Sequence, residues 1–204
     1  MSRFRGPRLK VIRRFQQHLP GLSRKTAERR AHPPGQHGQS RRTKRSDYRI
    51  RLEEKQKLRY NYGLSERQLR NCFKKAVNGK DDTGLALLRQ MESRLDNVVF
   101  RAGLAPTIPA ARQLVAHGHV MVNGSKVDIP SFQVQIGQTV SIREKSQNIP
   151  VVAESVAAPV LECPSYLSVD SAKFEATFKA EPAREDIPFE FQEHLVIEFY
   201  SQIV

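Results

Sequence analysis

Apolar side chains recur at helical spacing through the first half of the chain. Three helices are predicted there, one over 47–62 ahead of Gly63, one over 65–79 and one that begins at Thr83. Each starts at a polar residue that can cap its first turn, and a glycine ends the first two. The middle helix has the clearest apolar stripe, in which Cys72 is interpreted as a small core residue and not as a reactive thiol.

Two shorter helices are predicted over 93–103 and 107–118, each opened by a hydroxyl side chain and closed by a glycine. Thr107 is the expected cap of the second, and Pro109 lies in its first turn, where a missing N–H is harmless. The first has one apolar arc, formed by Leu95, Val98, Val99 and Ala102. These helices are therefore expected to pack on a common core.

Alternation of apolar and polar residues replaces helical spacing after residue 118. Two strands are predicted on either side of Asn123 and Gly124, a pair that favours a tight hairpin turn. A further strand, a glycine turn and another strand are predicted over 132–143, and alternation recurs over 166–170 and 173–179. The second half is therefore predicted to contain an antiparallel sheet.

The C-terminal segment returns to helical spacing after a proline-containing link over 148–166. The apolar positions of this last helix are Phe191, Leu195, Val196 and Phe199. The helix is acidic and needs an apolar partner, which the basic helices of residues 46–90 are expected to provide.

Charge is distributed unevenly along these elements. Residues 1–60 carry 19 Lys and Arg against 4 Asp and Glu, residues 61–146 carry 12 against 7, and residues 147–204 carry 3 against 10. The first segment has a net charge of +15 in a chain of +13. This concentration favours a nucleic-acid ligand over a solvated basic surface. An anionic membrane is disfavoured because the basic block has no broad apolar face.

Residues 1–45 combine many arginines with Pro and Gly and contain few, irregularly spaced apolar residues. They are expected to form an extended basic arm that becomes ordered on a partner.

Three arginines border the two short helices. Arg94 and Arg101 are seven residues apart, so they are predicted to share one face at the edge of the apolar arc, with Arg112 at the margin of the next helix. Exposed guanidinium groups can donate paired hydrogen bonds to phosphate oxygens. We therefore expect alanine at Arg94 or Arg112 to weaken nucleic-acid binding and to leave the fold intact, with ordinary salt bridges as the alternative.

The candidate nucleic-acid ligands are the cations of the arm, the helices and the hairpin, with a few polar side chains. They are Arg3, Arg5, Arg8, Lys10, Arg13, Arg14, Arg41, Arg42, Lys44, Arg45, Tyr48, Arg49, Lys55, Lys57, Arg59, Arg67, Arg70, Arg94, Arg101, Arg112, Gln113, His117, Asn123 and Lys126. The tyrosines among the basic residues, Tyr48, Tyr60 and Tyr62, are interpreted either as base-stacking groups or as core.

Composition and motifs argue against several other classes. No apolar run is long enough for a membrane span, and the basic N-terminus lacks the apolar stretch of a secretory signal, although a transit peptide is an alternative. Cys72 and Cys163 have neither metal-site spacing nor partners for a disulfide framework. Catalytic motifs such as a Walker loop or a nucleophile elbow do not occur, and the histidines lack the partners of a metal site, so we expect neither catalysis nor a metal.

Longer motifs resemble one ribosomal family. Residues 91–146, which begin MESRLDNVVFRAG and end SIREKS, resemble the RNA-binding domain named after small-subunit ribosomal protein four. MSRFRGPRLK, PPGQHGQ, DYRIRLEEKQKLRYNYGLSERQLR and EHLVIEFYS resemble bacterial-type members of that family, in the same order and spacing. The resemblance covers nearly the whole chain, and RGPRL, RLEEKQKLRYNYG and APTIP resemble cyanobacterial or plastid members.

The resemblance implies an α+β fold in three parts. These are an extended basic rRNA-binding arm over 1–45, a discontinuous helical domain over 46–91 that is completed by 183–204, and an inserted RNA-binding domain over 92–182. In the inserted domain, two short helices pack on a small antiparallel sheet. The implied function is that of a structural, non-enzymatic component of the small ribosomal subunit, a primary rRNA-binding protein that nucleates assembly of the subunit body and contributes to translational accuracy.

The resemblance also implies partners and a location. The expected partners are small-subunit rRNA, ribosomal proteins three, five and twelve, and mRNA near the path by which it enters the subunit. The expected location is the ribosome in bacterial cytoplasm or plastid stroma. No cofactor is expected, and zinc, which some relatives bind through cysteines of the arm, is not expected because no cysteine precedes Cys72.

Two other functions are alternatives. An RNA-modifying enzyme with the same RNA-binding module, such as a pseudouridine synthase, would need a catalytic domain with a nucleophilic Asp, and we expect no segment to house one. A DNA-architectural protein would prefer duplex DNA to folded rRNA in a competition experiment.

Overall fold

The computed structural model describes residues 4–39, 46–79 and 81–202, which form two compact units. Unit 1 comprises Met1–Gly84 and Phe189–Val204, and unit 2 comprises Leu85–Pro188. The candidate ligands Arg3, Arg41, Arg42, Lys44 and Arg45 lie outside the described residues.

The described residues contain helices and one antiparallel sheet, which confirms the predicted α+β class. The helices are α1 (Arg8–Phe15), α2 (Asp47–Asn61), α3 (Glu66–Val77), α4 (Thr83–Glu92), α5 (Leu95–Arg101), α6 (Ile108–Ala116), α7 (Glu144–Gln147), α8 (Pro150–Ala157) and α9 (Glu193–Ser201). The strands are β1 (Val120–Val122), β2 (Ser125–Lys126), β3 (Thr139–Ile142), β4 (Leu167–Asp170) and β5 (Glu175–Phe178).

The N-terminal segment of unit 1 is more ordered than the expected extended arm. It contains α1, which buries Val11 and Ile12, and Leu19 is buried beyond the helix. The amide of Gly21 donates to Oδ1 of Asn61 on α2 at 3.0 Å. Sequence analysis missed this helix, although Leu9, Ile12 and Phe15 recur in it at helical spacing.

The acidic C-terminal helix α9 packs against α2, as its composition predicted. Val196 and Phe199 are buried in this contact region, and Nε of Arg51 donates to Oε2 of Glu198 at 2.7 Å. Phe191 precedes the helix and is buried without being part of it. The apolar face of α9 therefore belongs to the core of unit 1, while part of its acidic face pairs with a basic helix.

A buried lysine joins three helices of unit 1. Lys55 on α2 is 4% exposed, and its Nζ donates to Glu66 on α3 at 2.8 Å. The same Nζ lies 4.7 Å from the ring centroid of Phe199 on α9, and the hydroxyl of Tyr200 donates to Glu66 at 2.8 Å. The charge of Lys55 is thus compensated inside the unit, by a carboxylate and an aromatic face.

Unit 2 joins helices to a five-stranded sheet with strand order β2-β1-β3-β5-β4, in which every pair is antiparallel. Helix α5 packs against α6. The hydroxyl of Thr107 accepts from the amide of Ala110 at 3.3 Å, which confirms the predicted cap, and Pro109 lies in the first turn as expected. Val120, Val140 and Ala176 are buried on successive strands, so one face of the sheet covers the core.

The segment around residue 133 does not form the predicted strand. The carbonyl groups of Pro130 and Phe132 instead accept from the amides of Asp96 and Leu95, at 3.1 and 2.8 Å. Ser93 was the expected cap of α5, but its hydroxyl donates to the carbonyl oxygen of Arg89. The loop therefore satisfies the first-turn amides of α5, a tertiary contact that alternation in the sequence cannot reveal.

The segment proposed as a link contains a helix, α8. Its Pro150 occupies the first turn, and its buried residues are only Val152 and Ser155, too few for a clear stripe.

The boundaries of the two units also differ from the domain boundaries suggested by the sequence. The two units divide at 84/85 and 188/189, within α4 and before Phe189, where the sequence suggested 91/92 and 182/183.

We predict that unit 1 loses stability in acid through Glu66. Burial raises the pKa of this carboxyl group, but hydrogen bonds from Lys55 and Tyr200, together with the positive charges of Lys55 and Arg59, outweigh that effect, so the pKa lies below its ordinary value of 4.5. A carboxylate with a lowered pKa stabilises the fold above its unfolded pKa and loses this effect as pH falls through the folded pKa.

The Glu66→Gln variant should therefore be less stable than the parent at neutral pH, and the difference should shrink below pH 4.5. Urea unfolding followed by circular dichroism across this range measures the effect. A difference in stability that is constant with pH would contradict the prediction.

Candidate nucleic-acid interface

The end of α6 and the neighbouring strands bring exposed cations together in unit 2. Gly118 follows α6 with a φ of +74°, which lets the chain turn sharply into β1. Lys126 of β2 lies so close that a Cβ on Gly118 would be 2.3 Å from its Cε. The guanidinium group of Arg143, after β3, donates to the carbonyl oxygen of Gly118 at 3.3 Å. The positive φ therefore favours glycine at this turn, and the flexible end of the Lys126 side chain lies directly against it.

We call this surface the Gly118 corner, defined by Gln113, His117, Gly118, Lys126 and Arg143. The four side chains that define it with Gly118 are exposed, and they come from α6, the residue after it, β2 and the residue after β3. Sequence analysis found Gln113, His117 and Lys126 but missed Arg143. The signal that could have found it is its position directly after a predicted strand, because Ile142 at the end of that strand pairs with Val120 at the start of the hairpin.

The predicted hairpin is confirmed and explains the position of Lys126. Asn123 and Gly124 have φ values of +47° and +76°, which suit a two-residue turn between β1 and β2. Oδ1 of Asn123 accepts from the amide of Thr139 at 2.8 Å, which ties the turn to β3. Asn123 is exposed, but this bond gives it a structural role that the sequence did not indicate.

Arg94 does not stand at an exposed edge, and this expectation was wrong. Its side chain is 4% exposed, and its guanidinium group donates to both oxygens of Asp96 at 3.0 and 2.9 Å. Arg112 donates to Oδ2 of the same carboxylate at 2.6 and 3.0 Å and keeps 17% of its side-chain surface exposed. Arg94 is therefore structural, and Arg112 combines a buried ion pair with a partly exposed surface.

Arg101 is likewise buried, with 4% of its side chain exposed, which corrects its predicted position. Its Nε lies 3.7 Å from Oε2 of Glu92, and it donates to the carbonyl oxygen of Asp186. Oε2 of Glu92 also accepts from Asn97 and from the hydroxyl of Tyr166, each at 2.6 Å. Burial and the neighbouring Glu92 raise the pKa of Tyr166 well above its ordinary value, so the hydroxyl stays protonated as a donor.

The helical wheel placed these arginines at the margin because it contains no information about buried partners. Asp96 and Glu92 are both fully buried, at 0% exposure, and each compensates arginine charge inside unit 2. Arg94→Ala is therefore expected to destabilise the fold, which reverses the expectation from the sequence.

The cations of unit 1 separate into exposed and engaged groups. The exposed candidates are Arg5, Arg8, Lys10, Arg14, Arg67 and Arg70. Arg49 is also exposed, but its Nε donates to Oε1 of Glu53 at 2.9 Å, so it belongs to both groups. Lys74 was not a candidate, yet it is exposed and shares one face of α3 with Arg67 and Arg70, because spacings of three and seven residues align on a helix. The spacing was present in the sequence and would have identified it.

Several other candidates in unit 1 already have protein partners. Lys55 is buried, which corrects its proposed exposure to RNA. Arg13 donates to the carbonyl oxygen of His32 at 3.1 Å, and Lys57 to Glu54 at 2.5 Å. Arg59 lies 4.6 Å from the ring centroid of Tyr60. These side chains have less freedom to follow an RNA backbone than those of the exposed group.

The tyrosines divide between core and surface. Tyr62 is 2% exposed and belongs to the core. Tyr60 is half-buried beside Phe4, at a centroid distance of 5.1 Å. Tyr48 is 57% exposed, and its ring lies 5.9 Å from that of Phe199. Of the three, Tyr48 keeps the largest exposed surface for contact with a base.

Two further features concern the part of the chain that the structure describes. Within residues 4–39, 46–79 and 81–202, no group of three or more His, Cys, Asp or Glu side chains is placed to hold a metal ion. Among the helices of these residues, none combines the length and apolar character that a bilayer crossing requires.

Comparison with known proteins gives consistent matches over the whole chain. Residues 3–92 match the model of the Ribosomal protein S4/S9 N-terminal domain, and residues 93–140 match that of the S4 domain. Small ribosomal subunit protein uS4 of Methylobacillus flagellatus is 53% identical over 202 residues, 98% of each chain. The uS4 protein of a Synechocystis species is 53% identical over 203 residues, 99% of each chain. The uS4c protein of Cyanophora paradoxa is 50% identical over 203 residues, 99% of this chain and 100% of that relative.

We predict that Asp96→Asn strongly destabilises unit 2. Removal of this carboxylate charge leaves the buried guanidinium group of Arg94 uncompensated and weakens the link to Arg112, a loss of about 3–5 kcal/mol for a broken buried pair. Urea unfolding measures the change, with Asp128→Asn as the matched control because Asp128 is exposed. Equal effects of the two substitutions would show that the buried ion pairs are not structural.

Proposed function

The chain belongs to the ribosomal protein S4 family, and from that premise we propose that it is a structural, non-catalytic protein of the small ribosomal subunit that binds rRNA directly. The observation that carries this proposal is the Gly118 corner, where Lys126 and Arg143 converge on the end of α6. Both cations are exposed and belong to the unit that contains the S4 domain match. Binding follows from the attraction of such groups to RNA phosphates and the release of counterions.

The buried carboxylates support this assignment of the binding surface. Asp96 lies beside Arg94 and Glu92 beside Arg101 inside unit 2. These two arginines therefore add little to the electrostatic potential at the surface of the unit. Of the cations that remain accessible, Arg143 is held by its hydrogen bond to the carbonyl oxygen of Gly118. A cation held in this way suits the recognition of folded RNA, which depends on shape and backbone contacts.

Unit 1 supplies a second set of RNA ligands in this proposal. Arg67, Arg70 and Lys74 form a row along α3, and Arg5, Arg8, Lys10 and Arg14 are exposed at and before α1. Because one chain carries two compact units with their own exposed cations, it can hold two segments of rRNA at once. This supports the finer proposal that the protein binds early and nucleates assembly of the subunit body.

Its neighbours and location are also proposals that follow from the family. Ribosomal proteins three, five and twelve are the proposed protein neighbours, with mRNA close to the site where it enters the subunit. The proposed location is a ribosome of bacterial cytoplasm or plastid stroma. A relative from a cyanobacterium and one from Methylobacillus are both 53% identical to this chain. Sequence identity alone therefore does not favour a cyanobacterial over another bacterial origin.

We predict that Lys126→Gln and Arg143→Gln each weaken rRNA binding and reduce its salt dependence. Each lost phosphate contact should lower the slope of log affinity against log salt by about 0.7–0.9. Lys173→Gln is the matched control, because the Lys173 side chain is 72% exposed near the β4–β5 turn, and the same charge is removed. Titration of a small-subunit rRNA fragment at several salt concentrations measures both effects.

The same binding assay tests the proposed function itself. Small-subunit rRNA should compete for the protein much better than duplex DNA or large-subunit rRNA of equal length. Equal competition by duplex DNA would favour the DNA-architectural alternative. Equal losses for Lys126→Gln and Lys173→Gln would show that only total charge matters and would remove the Gly118 corner from the interface.

We further propose that the protein contributes to translational accuracy through the acidic surface of α9 and the residues before it. Carboxylates repel RNA, so Glu190 and Glu198 suit a contact with a neighbouring protein better than a contact with rRNA. Such a contact would stabilise one form of the subunit and shift the population between forms. Removal of Phe189 and all that follows would also remove buried core residues of unit 1, so point substitutions are the sharper test.

We predict that Glu190→Gln combined with Glu198→Gln changes misreading and leaves rRNA affinity unchanged. Glu190 is exposed, and the Glu198 side chain is 47% exposed in its pair with Arg51, an exposed pair that contributes about 0–1 kcal/mol to stability. Misreading is measured with reconstituted subunits, and affinity with free rRNA. Normal misreading with intact binding would contradict the accuracy proposal.

A further inference from the structure

Unit 2 contains a cavity of about 200 Å³ between α6 and the start of α8. Its apolar walls are formed by Ala110 and Leu114 of α6, by Ile149, and by Val151 of α8. Val151 remains 43% exposed, although it is a large apolar side chain. The cavity is therefore an open, mostly aliphatic slot on the surface of the unit.

Three polar side chains complete the lining and belong to the same end of α6. Gln113 and His117 are exposed, and the ring centroids of His117 and His119 lie 6.1 Å apart with the planes at 57°. Nδ1 of His119 is 2.9 Å from Oγ of Ser146, which is 6% exposed, so the orientation of this imidazole ring is fixed by a buried partner. The slot thus offers aromatic faces and an amide group at its rim.

The charges near the slot lie outside it. Among the described residues that line it, none carries a carboxylate, ammonium or guanidinium group. Lys126 and Arg143 converge on Gly118, which lies between the two histidines in the chain. The exposed Glu154 lies one turn along α8 from Val151, which disfavours phosphates on that side. A ligand with anionic groups on the Gly118 side and a neutral part in the slot fits this distribution.

We propose that the slot takes one unstacked nucleobase of the bound rRNA, an inference that rests on the proposed function. A nucleobase is flat and uncharged, has two π faces and carries hydrogen-bonding groups only at its edge. Imidazole rings and aliphatic walls suit its faces, and the amide of Gln113 can both donate to and accept from its edge. Its flanking phosphates would lie beside Lys126 and Arg143.

Other occupants fit the lining less well. A phosphate in the slot would lack a cation within the lining and would lie against aliphatic walls. An aliphatic side chain from a neighbouring protein would cover the polar groups of Gln113 and the histidines without hydrogen-bonding to them. The unstacked base satisfies both parts of the lining and accounts for the adjacent cations.

The test compares two substitutions on α8 that add the same charge. Val151→Glu places a carboxylate at the mouth of the slot, whereas Ala153→Glu adds it two residues away, at an exposed position outside the lining. Gln113→Ala, also at an exposed position, removes the rim amide without new charge. The full-length protein and the three variants are bound to small-subunit rRNA, which is probed with base-specific reagents and with hydroxyl radicals that report the backbone.

We expect the parent protein to protect at least one base that Val151→Glu and Gln113→Ala leave reactive, while the backbone footprint persists. Loss of a stacked base should weaken binding about tenfold for Val151→Glu, and Ala153→Glu should behave as the parent apart from a small effect of charge. Gln113→Ala keeps the test decisive if Val151→Glu does not fold.

Three results would overturn the inference. In the first, Val151→Glu and Ala153→Glu have equal effects and no base becomes reactive with Gln113→Ala. This would show that the slot holds no base in the complex, while the protein still binds rRNA. Effects of the slot variants that appear only in assembled subunits would assign the slot to a neighbouring protein. Failure of the parent protein to bind rRNA would refute the proposed function and the inference together.

Discussion

The fold of unit 2 depends on two carboxylates that are buried beside arginines. Asp96 lies in the first turn of α5, where its charge also suits the helix dipole, and it joins Arg94 to Arg112 of α6. Glu92 at the end of α4 accepts from Asn97 of α5 and from Tyr166 before β4. A strongly basic chain can bury these arginines because each has an acidic or carbonyl partner within the unit.

These ion pairs also determine which cations can reach RNA. Arg94 and Arg101 are used inside the unit, whereas Lys126 and Arg143 remain exposed at the turn that Gly118 makes possible. Unit 1 follows the same rule, since Lys55 is compensated by Glu66 and Phe199 while the cations along α3 are exposed. The net charge of the chain is therefore a poor guide to its binding surface, and the distribution of buried acids is a better one.

Much of the fold could be predicted from the sequence because its signals are local. Caps and glycines defined α3 and α6, Gly63 defined the end of α2, the Asn123-Gly124 turn defined the first hairpin, and the apolar spacing of α9 required a partner that α2 provides. The features that were missed depend on tertiary contacts. Helix α8 buries too few residues to show a stripe, the loop near Phe132 caps α5 instead of forming a strand, and the burial of Arg94 depends on Asp96.

The central claim is that exposed cations bind the RNA and that the buried arginines hold the fold. Residue-resolved mass spectrometry after modification with an arginine-specific reagent, with and without small-subunit rRNA, tests it most directly. We predict that Arg143 and Arg67 react in the free protein and are protected by rRNA, while Arg94 and Arg101 stay unreactive in both states. Modification of Arg94 and Arg101 in the free protein, together with their protection by rRNA, would contradict the account.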